Sequence, residues 1–255
     1  MTMIGRRVAV VTGGARGIGA EACRALAEDG LTLAVADLDS SGSERVAAGL
    51  VGSGHAGFGV DVSDETSIIR LFDAVERRLG TVTVLVHCAG IQIVRDDGSR
   101  AAIADTTLHE WVTTMTVNAT GSFLTSREYV RRLPAAVEHG RIVTVSSVAA
   151  QLGGIRSGAS YAASKAAILG LTKSLARELA PAGVTVNCIA PGMIDTAMLR
   201  LSLDPKDDHV AAEAIPLRYI GAPSDVAAAV RFLVSPGARF VTGMTLDVNG
   251  GQRMQ

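Results

Sequence analysis

Thr12-Gly13-Gly14-Ala15-Arg16-Gly17-Ile18-Gly19 stands between an apolar run at 7–12 and a helical pattern at about 17–29. Here the backbone must bend sharply and come close to a partner with no side chain in the way, which glycine permits. A helix that opens directly after the turn offers its first N–H groups and its dipole to a pyrophosphate. Glycines alone are a weak signal, because ordinary turns use them too. Context strengthens this one: Asp37 ends the next apolar run, about 20 residues on, where a carboxylate can accept from both hydroxyls of an adenosine ribose. Gly13, Arg16, Gly17, Ile18, Gly19 and Asp37 are therefore candidate dinucleotide contacts.

A 2′-phosphate on that ribose would set about two negative charges against Asp37, at about 4 kcal/mol per unit pair for ~4 Å and an effective dielectric near ~20. Arg16 pulls the other way, since a guanidinium in the glycine loop can pair with such a phosphate. Asp37 is fixed at a strand end and is taken as the stronger determinant, so NAD is expected over NADP. Asp61 and Val62 follow the third apolar run, where a carboxylate and a neighbouring N–H suit an adenine edge. A competing reading makes Ser63 or Asp64 the cap of the next helix, with Asp61 merely nearby.

Working outward, apolar runs at 7–12, 31–36, 56–60, 82–86, 140–145, 184–190 and 244–248 alternate with helical patterns at about 17–29, 43–50, 64–79, 108–133, 160–180 and 224–234. Short continuous apolar runs suit strands covered on both faces. Strand-then-helix repetition with right-handed crossovers predicts an α/β fold, a doubly wound sheet of seven parallel strands with helices on both faces. No linker, repeat or composition shift divides residues 1–255, so one domain is expected. Loops at about 91–107, 147–159 and 191–216 exceed what a crossover needs and are expected to shape a substrate pocket.

Composition narrows the classes. The chain is 48% hydrophobic but only 4% aromatic, which favours close helix-on-sheet packing over an aromatic recognition surface. A formal charge of −1 without a Lys/Arg block argues against nucleic acid or a membrane surface as partner. Cys23, Cys88 and Cys188 are odd in number and widely spaced, which suits buried thiols in a reducing compartment better than disulfides or a metal site. Met1 to Val10 run straight into the first strand and leave no room for a secretory leader, so a cytoplasmic location is expected.

Tyr161-Ala162-Ala163-Ser164-Lys165 carries the chemistry. On a helix, i and i+4 side chains share a face, which sets Lys165 beside Tyr161. A phenol of pKa about 10 becomes a base at neutral pH only if it falls by ~3 units, roughly 4 kcal/mol. A desolvated ammonium close by supplies that order of energy. Ser147 ends the run at 140–145 and is placed at the carboxyl edge of the sheet as a donor to a substrate oxygen, in preference to Ser146. Asn118 lies inside a predicted helix, where its amide is expected either to bond a water that links Lys165 to solvent or simply to face solvent.

Over essentially its full length the chain resembles the short-chain dehydrogenase/reductases. Thr12–Gly19 is similar to that family's Thr-Gly-x-x-x-Gly-x-Gly loop, and Asn118, Ser147, Tyr161 and Lys165 fall at its catalytic tetrad in order. The resemblance implies a Rossmann-like fold. It implies that Pro191, Gly192, Ile194 and Thr196 flank the nicotinamide, with Ile194 and Thr196 on its amide, and that Tyr161 and Lys165 also hold the nicotinamide ribose. It also implies a homotetramer built partly from the helices at 108–133 and 160–180. His87-Cys88-Ala89-Gly90 departs from the family's Asn-Asn-Ala-Gly: Cys88 cannot offer the usual amide, while backbone contacts from Ala89 and Gly90 survive.

The expected function is NAD-dependent hydride transfer between nicotinamide and a secondary alcohol or ketone, such as a polyol, sugar-derived, cyclic or steroid-like alcohol. Tyr161 acts as base in oxidation and acid in reduction, Ser147 steadies the oxyanion, and no metal is required. The rival enzyme reading is an NADP-linked 3-oxoacyl thioester (acyl carrier protein) reductase, for which a basic patch would speak; only Arg127, Arg131 and Arg132 are available. A nucleotide-sensing module without turnover is the non-enzyme rival, and it has no need of Tyr161 and Lys165 together. Arg95, Arg100 or Arg156 is expected either to meet an anionic or polyhydroxylated substrate or to be solvated loop charge.

Overall fold

The computed structural model describes residues 7–134, 137–154 and 156–254. Met1 to Arg6, at the head of the expected leaderless start, and Ile155, inside the 147–159 loop, lie outside the described residues. The elements run β1 (Val8–Thr12), α1 (Gly17–Glu28), β2 (Thr32–Asp37), α2 (Ser40–Ala48), β3 (Ala56–Gly59), α3 (Glu65–Leu79), β4 (Val82–His87), α4 (Leu108–Met115), α5 (Gly121–Arg131), β5 (Arg141–Val145), α6 (Ala149–Leu152), α7 (Ala159–Leu179), β6 (Thr185–Pro191), α8 (Ala197–Arg200), α9 (Asp208–Glu213), α10 (Pro223–Val234) and β7 (Thr245–Val248).

All seven expected strands form one sheet in the order β3-β2-β1-β4-β5-β6-β7, every neighbour pairing parallel. The order reverses between β1 and β4, and a crevice opens there beyond the carboxyl ends of the strands. Alternate residues feed two cores. Val8, Val10, Leu85 and Ile142 meet Ile68, Phe72 and Val75 of α3 and Leu175 of α7 on one face. Ala9, Val11, Val84 and Val143 meet Leu26 of α1 and Val226, Val230 and Leu233 of α10 on the other. Each such aliphatic or Phe side chain contributes about 1.5–3 kcal/mol of burial, which explains strands apolar on both faces.

Three local expectations are corrected. The second helix begins at Ser40, not at 43, because the Asp39 carboxylate accepts from Gly42 N–H at 2.9 Å and caps a stretch whose Ser and Gly content reads as turn. The single helix expected over 108–133 is interrupted by a π-helical turn at Thr116–Thr120. Gly121 then lies against Val62, whose Cγ2 would be 3.0 Å from a Cβ at that glycine. The loops at 147–159 and 191–216 contain the short helices α6, α8 and α9.

Candidate active site

The glycine turn packs so closely that side chains are excluded. Gly13 has φ +68°, and a Cβ there would lie 2.7 Å from Ala89 N; one at Gly19 would lie 2.1 Å from Gly13 O. Arg16 is exposed at the N-cap position of α1 and makes no side-chain cap bond, while Gly17 and Ile18 open the helix. Asp37 faces this turn: one carboxylate oxygen accepts from Ala15 N–H at 3.2 Å and the other from Asp39 N–H at 3.1 Å. A bare backbone cradle at a helix start with a fixed carboxylate beside it fits a dinucleotide.

Around the rest of the crevice the expected cofactor contacts have different surroundings. Asp61 Oδ1 accepts from both N–H and hydroxyl of Ser63, at 2.8 and 2.6 Å, while Asp64 caps α3 by accepting from Thr66 N–H at 2.9 Å. Asp61 therefore shapes the turn, and the cap is Asp64. Val62 is buried beneath Gly121. Cys88 donates its N–H to Thr12 O at 3.1 Å and, with Gly90, lines the cavity that also holds Tyr161. The family's first Asn is replaced by His87, fully buried, whose Nδ1 lies 2.9 Å from Thr12 Oγ1 across β1 and β4. Burial, then nearby Lys165, pushes the imidazole down to about 3, so it is neutral and ties the two central strands. Ala89 N–H reaches the same hydroxyl at 3.5 Å.

The four tetrad positions converge although β5, α7 and the π-turn are far apart in sequence. Tyr161 and Lys165 share a face of α7, and Ser147 follows β5. Ser147 Oγ accepts from Ala149 N–H at 3.1 Å and hydrogen-bonds Tyr161, whereas Ser146 spends its hydroxyl on Lys165 O at 2.7 Å. The two serine hydroxyls thus have different partners.

Lys165 does not spend its ammonium on the Tyr161 hydroxyl: its Nζ lies 5.8 Å from the ring centroid and donates to Val145 O at 3.0 Å. Burial pushes the Tyr161 phenol up, and the Ser147 bond offsets this only in part. Burial pushes the Lys165 ammonium down to about 8, against partial opposition from the Cys188 and Cys88 thiols. Nor is the Asn118 amide held for water. It is fully buried, donates to Ile91 O at 2.9 Å and Ser164 Oγ at 3.0 Å, and accepts from Ile91 N–H at 2.8 Å. It therefore pins the segment after β4 to α7. The π-turn aims it inward, and such turns recur at functional sites.

A cavity of about 340 Å³ joins these groups. Ile18, Pro191, Gly192, Ile194 and Thr196 line it on the cradle side, with Thr196 Cγ2 3.4 Å from where a Cβ on Gly17 would be. Its outer wall is apolar: Val148, Leu152, Met198, Leu199, Val210 and Ala211. Those from α8 and α9 lie within the 191–216 loop, where elements of four and six residues are too short to show a helical period. Tyr161 Oη points toward Met198 Sδ at 4.0 Å. Arg156 also lines the cavity; Arg95 instead bonds Asp105 O and pairs with Glu110, and Arg100 is exposed outside the lining. Arg127, Arg131 and Arg132 are paired with Glu65, Asp73, Glu76 and Glu128, so they form no unbalanced basic patch.

Comparison with known proteins places this geometry. Residues 13–253 match a family model described as enoyl-(acyl carrier protein) reductase. The chain is 38% identical to the 3-oxoacyl-[acyl-carrier-protein] reductase FabG of Vibrio cholerae, covering 97% of this chain and 98% of the relative. It is 36% identical to the reductase MabA of Mycobacterium tuberculosis, over 97% and 93%. A Brucella melitensis structure described as short-chain dehydrogenase/reductase SDR:glucose/ribitol dehydrogenase superposes with TM-score 0.88 at 33% identity, covering 98% of this chain and 97% of that one. A dehydrogenase/reductase from Sinorhizobium meliloti superposes at 0.86, also 33% identical, over 97% and 95%.

Proposed function

This chain belongs to the short-chain dehydrogenase/reductase family, oxidoreductases that work with a nicotinamide cofactor, and on that premise we propose that it reduces the 3-oxo group of an acyl thioester. The observation that carries the reading is the Tyr161 phenol and the Ser147 hydroxyl set against an apolar wall, in a cavity whose described lining holds no carboxylate. A buried phenol beside a serine hydroxyl can serve as the proton donor that carbonyl reduction needs. The 35–38% identity to 3-oxoacyl-[acyl-carrier-protein] reductases over 97% of the chain supports the same direction.

Bound nicotinamide supplies the hydride. The residues suited to hold the cofactor are the turn at Gly13 to Gly19, Asp37, the Asp61-Val62 and Ala89-Gly90 backbone, and Pro191, Gly192, Ile194 and Thr196. In this reading Ser147 donates to the substrate carbonyl oxygen and Tyr161 delivers its proton to the same atom as charge develops there. Lys165, on its main-chain acceptor, sits where it can restore positive potential behind the phenol. Asn118 keeps the segment after β4 in register with α7.

Asp37 supports NAD over NADP, since both its oxygens are fixed by N–H donors beside the cradle, whereas Arg16 is exposed. The family likeness supports assembly into a tetramer, and exposed Leu108, Val112 and Phe123 on α4 and α5 are consistent with it. Oxidation of a small polyol has narrower support, the glucose/ribitol description of one neighbour at 33% identity. The test is to follow NADH and NADPH oxidation by the purified protein with 3-oxobutanoyl coenzyme A, and NAD reduction with a panel of secondary alcohols. Turnover of alcohols with none of the thioester would overturn the proposal in favour of the alcohol reading.

A further inference from the structure

Two charged side chains line the cavity among the described residues, and both are cations. Lys165 is buried at its foot and committed to Val145 O. Arg156 stands exposed on the segment between α6 and α7. Its Nη1 donates to Ser202 O at 3.3 Å, just beyond α8, and its own carbonyl accepts from Gln92 Nε2 at 3.4 Å. Main-chain bonds thus stretch it between two of the segments that frame the cavity, and no carboxylate of the described residues lies within ion-pair distance of it. Neighbouring cations differ: Arg200 is paired with both Asp195 and Asp208, and Arg95 with Glu110. The charge of Arg200 and of Arg95 is cancelled inside the protein, and that of Arg156 is not met by any carboxylate of the described residues.

A guanidinium presents a planar fork that matches carboxylate and phosphate oxygens, and it keeps its charge at any working pH. In a cleft lined by one sign of charge and low-dielectric walls, such a cation also raises the local concentration of anions. We propose that Arg156 is a specificity-determining residue that reads an anionic oxygen group of the substrate, while the apolar wall of Val148, Leu152, Met198 and Leu199 takes the uncharged segment between that group and the reacting carbonyl. This rests on the cavity being the carbonyl-reducing site. The anion has two sources of the same chemistry: a phosphate on the thiol arm, or a carboxylate at the far end of the acyl group.

Steady-state kinetics of the full-length protein, wild type against Arg156→Met and Arg156→Lys, separate them. The probes are the neutral 3-oxobutanoyl N-acetylcysteamine thioester, 3-oxobutanoyl coenzyme A with phosphates on its arm, and the 3-oxoglutaryl mono-thioester of N-acetylcysteamine with a terminal carboxylate. Arg156→Met is expected to raise KM about ten-fold or more for one charged probe, with kcat nearly unchanged and the neutral probe unaffected. Arg156→Lys recovers part of the loss, and added salt shrinks it. Loss on the coenzyme A probe identifies the phosphate, and loss on the glutaryl probe the carboxylate. Equal loss on neutral and charged probes would reduce Arg156 to a strut holding Ser202, and no loss on any would remove it from recognition; either overturns the proposal. If no thioester is reduced, the same variants are compared on 3-oxobutanoate and a neutral ketone, so that the thioester reading can fail while Arg156 is still judged.

Discussion

Lys165 reaches past the ring of Tyr161, one helical turn away, and places its ammonium 3.0 Å from the carbonyl oxygen of Val145. The phenol is left with a single acidifying neighbour, the hydroxyl of Ser147, against the full cost of its burial.

Replacing Tyr161 with Phe removes that proton and little else, since the ring stays buried. Turnover should fall by about 10²–10⁴-fold while nicotinamide cofactor affinity, read by fluorescence titration, stays within about a factor of three. Near-normal reduction by this variant would exclude Tyr161 as the donor.

The chain has three lysines, Lys165, Lys173 and Lys206. Burial takes Lys165 down to about 8, while the Asp204 carboxylate holds Lys206 up. Between that value and the ordinary lysine range the unfolded chain binds more protons than the folded one, so this group's contribution to stability rises with pH across that window. Carbon-13-labelled lysine in the cofactor-free protein should show one methylene signal with a midpoint near 8. Three signals that all titrate in the ordinary lysine range would contradict the burial described.

The serines separate chemistry from scaffolding. Ser147→Ala should cost about 10²–10³-fold in kcat with little change in melting temperature. Ser146→Ala removes a buried bond to Lys165 O and should cost about 1–2 kcal/mol of stability, with activity largely kept. The reverse pattern would exchange their roles.

Asn118→Ala leaves the Ile91 N–H and C=O and the Ser164 hydroxyl without their partner. At about 1–3 kcal/mol for each strongly buried group, the loss should be roughly 2–4 kcal/mol, a fall in Tm of roughly 5–15 °C by calorimetry. An unchanged Tm would mean that the π-turn does not depend on this amide.

Asp37→Ala should narrow the preference for NAD over NADP by about ten-fold or more in kcat/KM, through loss of a carboxylate that repels the 2′-phosphate. A wild-type protein that uses NADPH faster than NADH would assign the choice to Arg16.

The strands were legible because both faces of the sheet are covered, so each strand shows as an unbroken apolar run such as Val8–Val11 or Val84–Val86. The glycine turn was legible because no Cβ fits at Gly13 or Gly19, and Ser147, Tyr161 and Lys165 because they sit at a strand end and a helical spacing. The π-turn at Thr116–Thr120 was not, because it depends on Asn118 finding Ile91 and Ser164 in other parts of the chain. Helices α8 and α9 were missed because they are four and six residues long, too short to show a period by themselves.

The sequence by itself determined the layered sheet, the glycine turn and the helical spacing that puts Tyr161 and Lys165 on one face, since all three follow from local pattern and residue type. Only the tertiary structure decided the burial of Tyr161, the commitment of Lys165 to Val145, the pinning role of Asn118 and which arginine faces the cavity. Those depend on burial and on partners distant in the chain, which no local pattern of residues records.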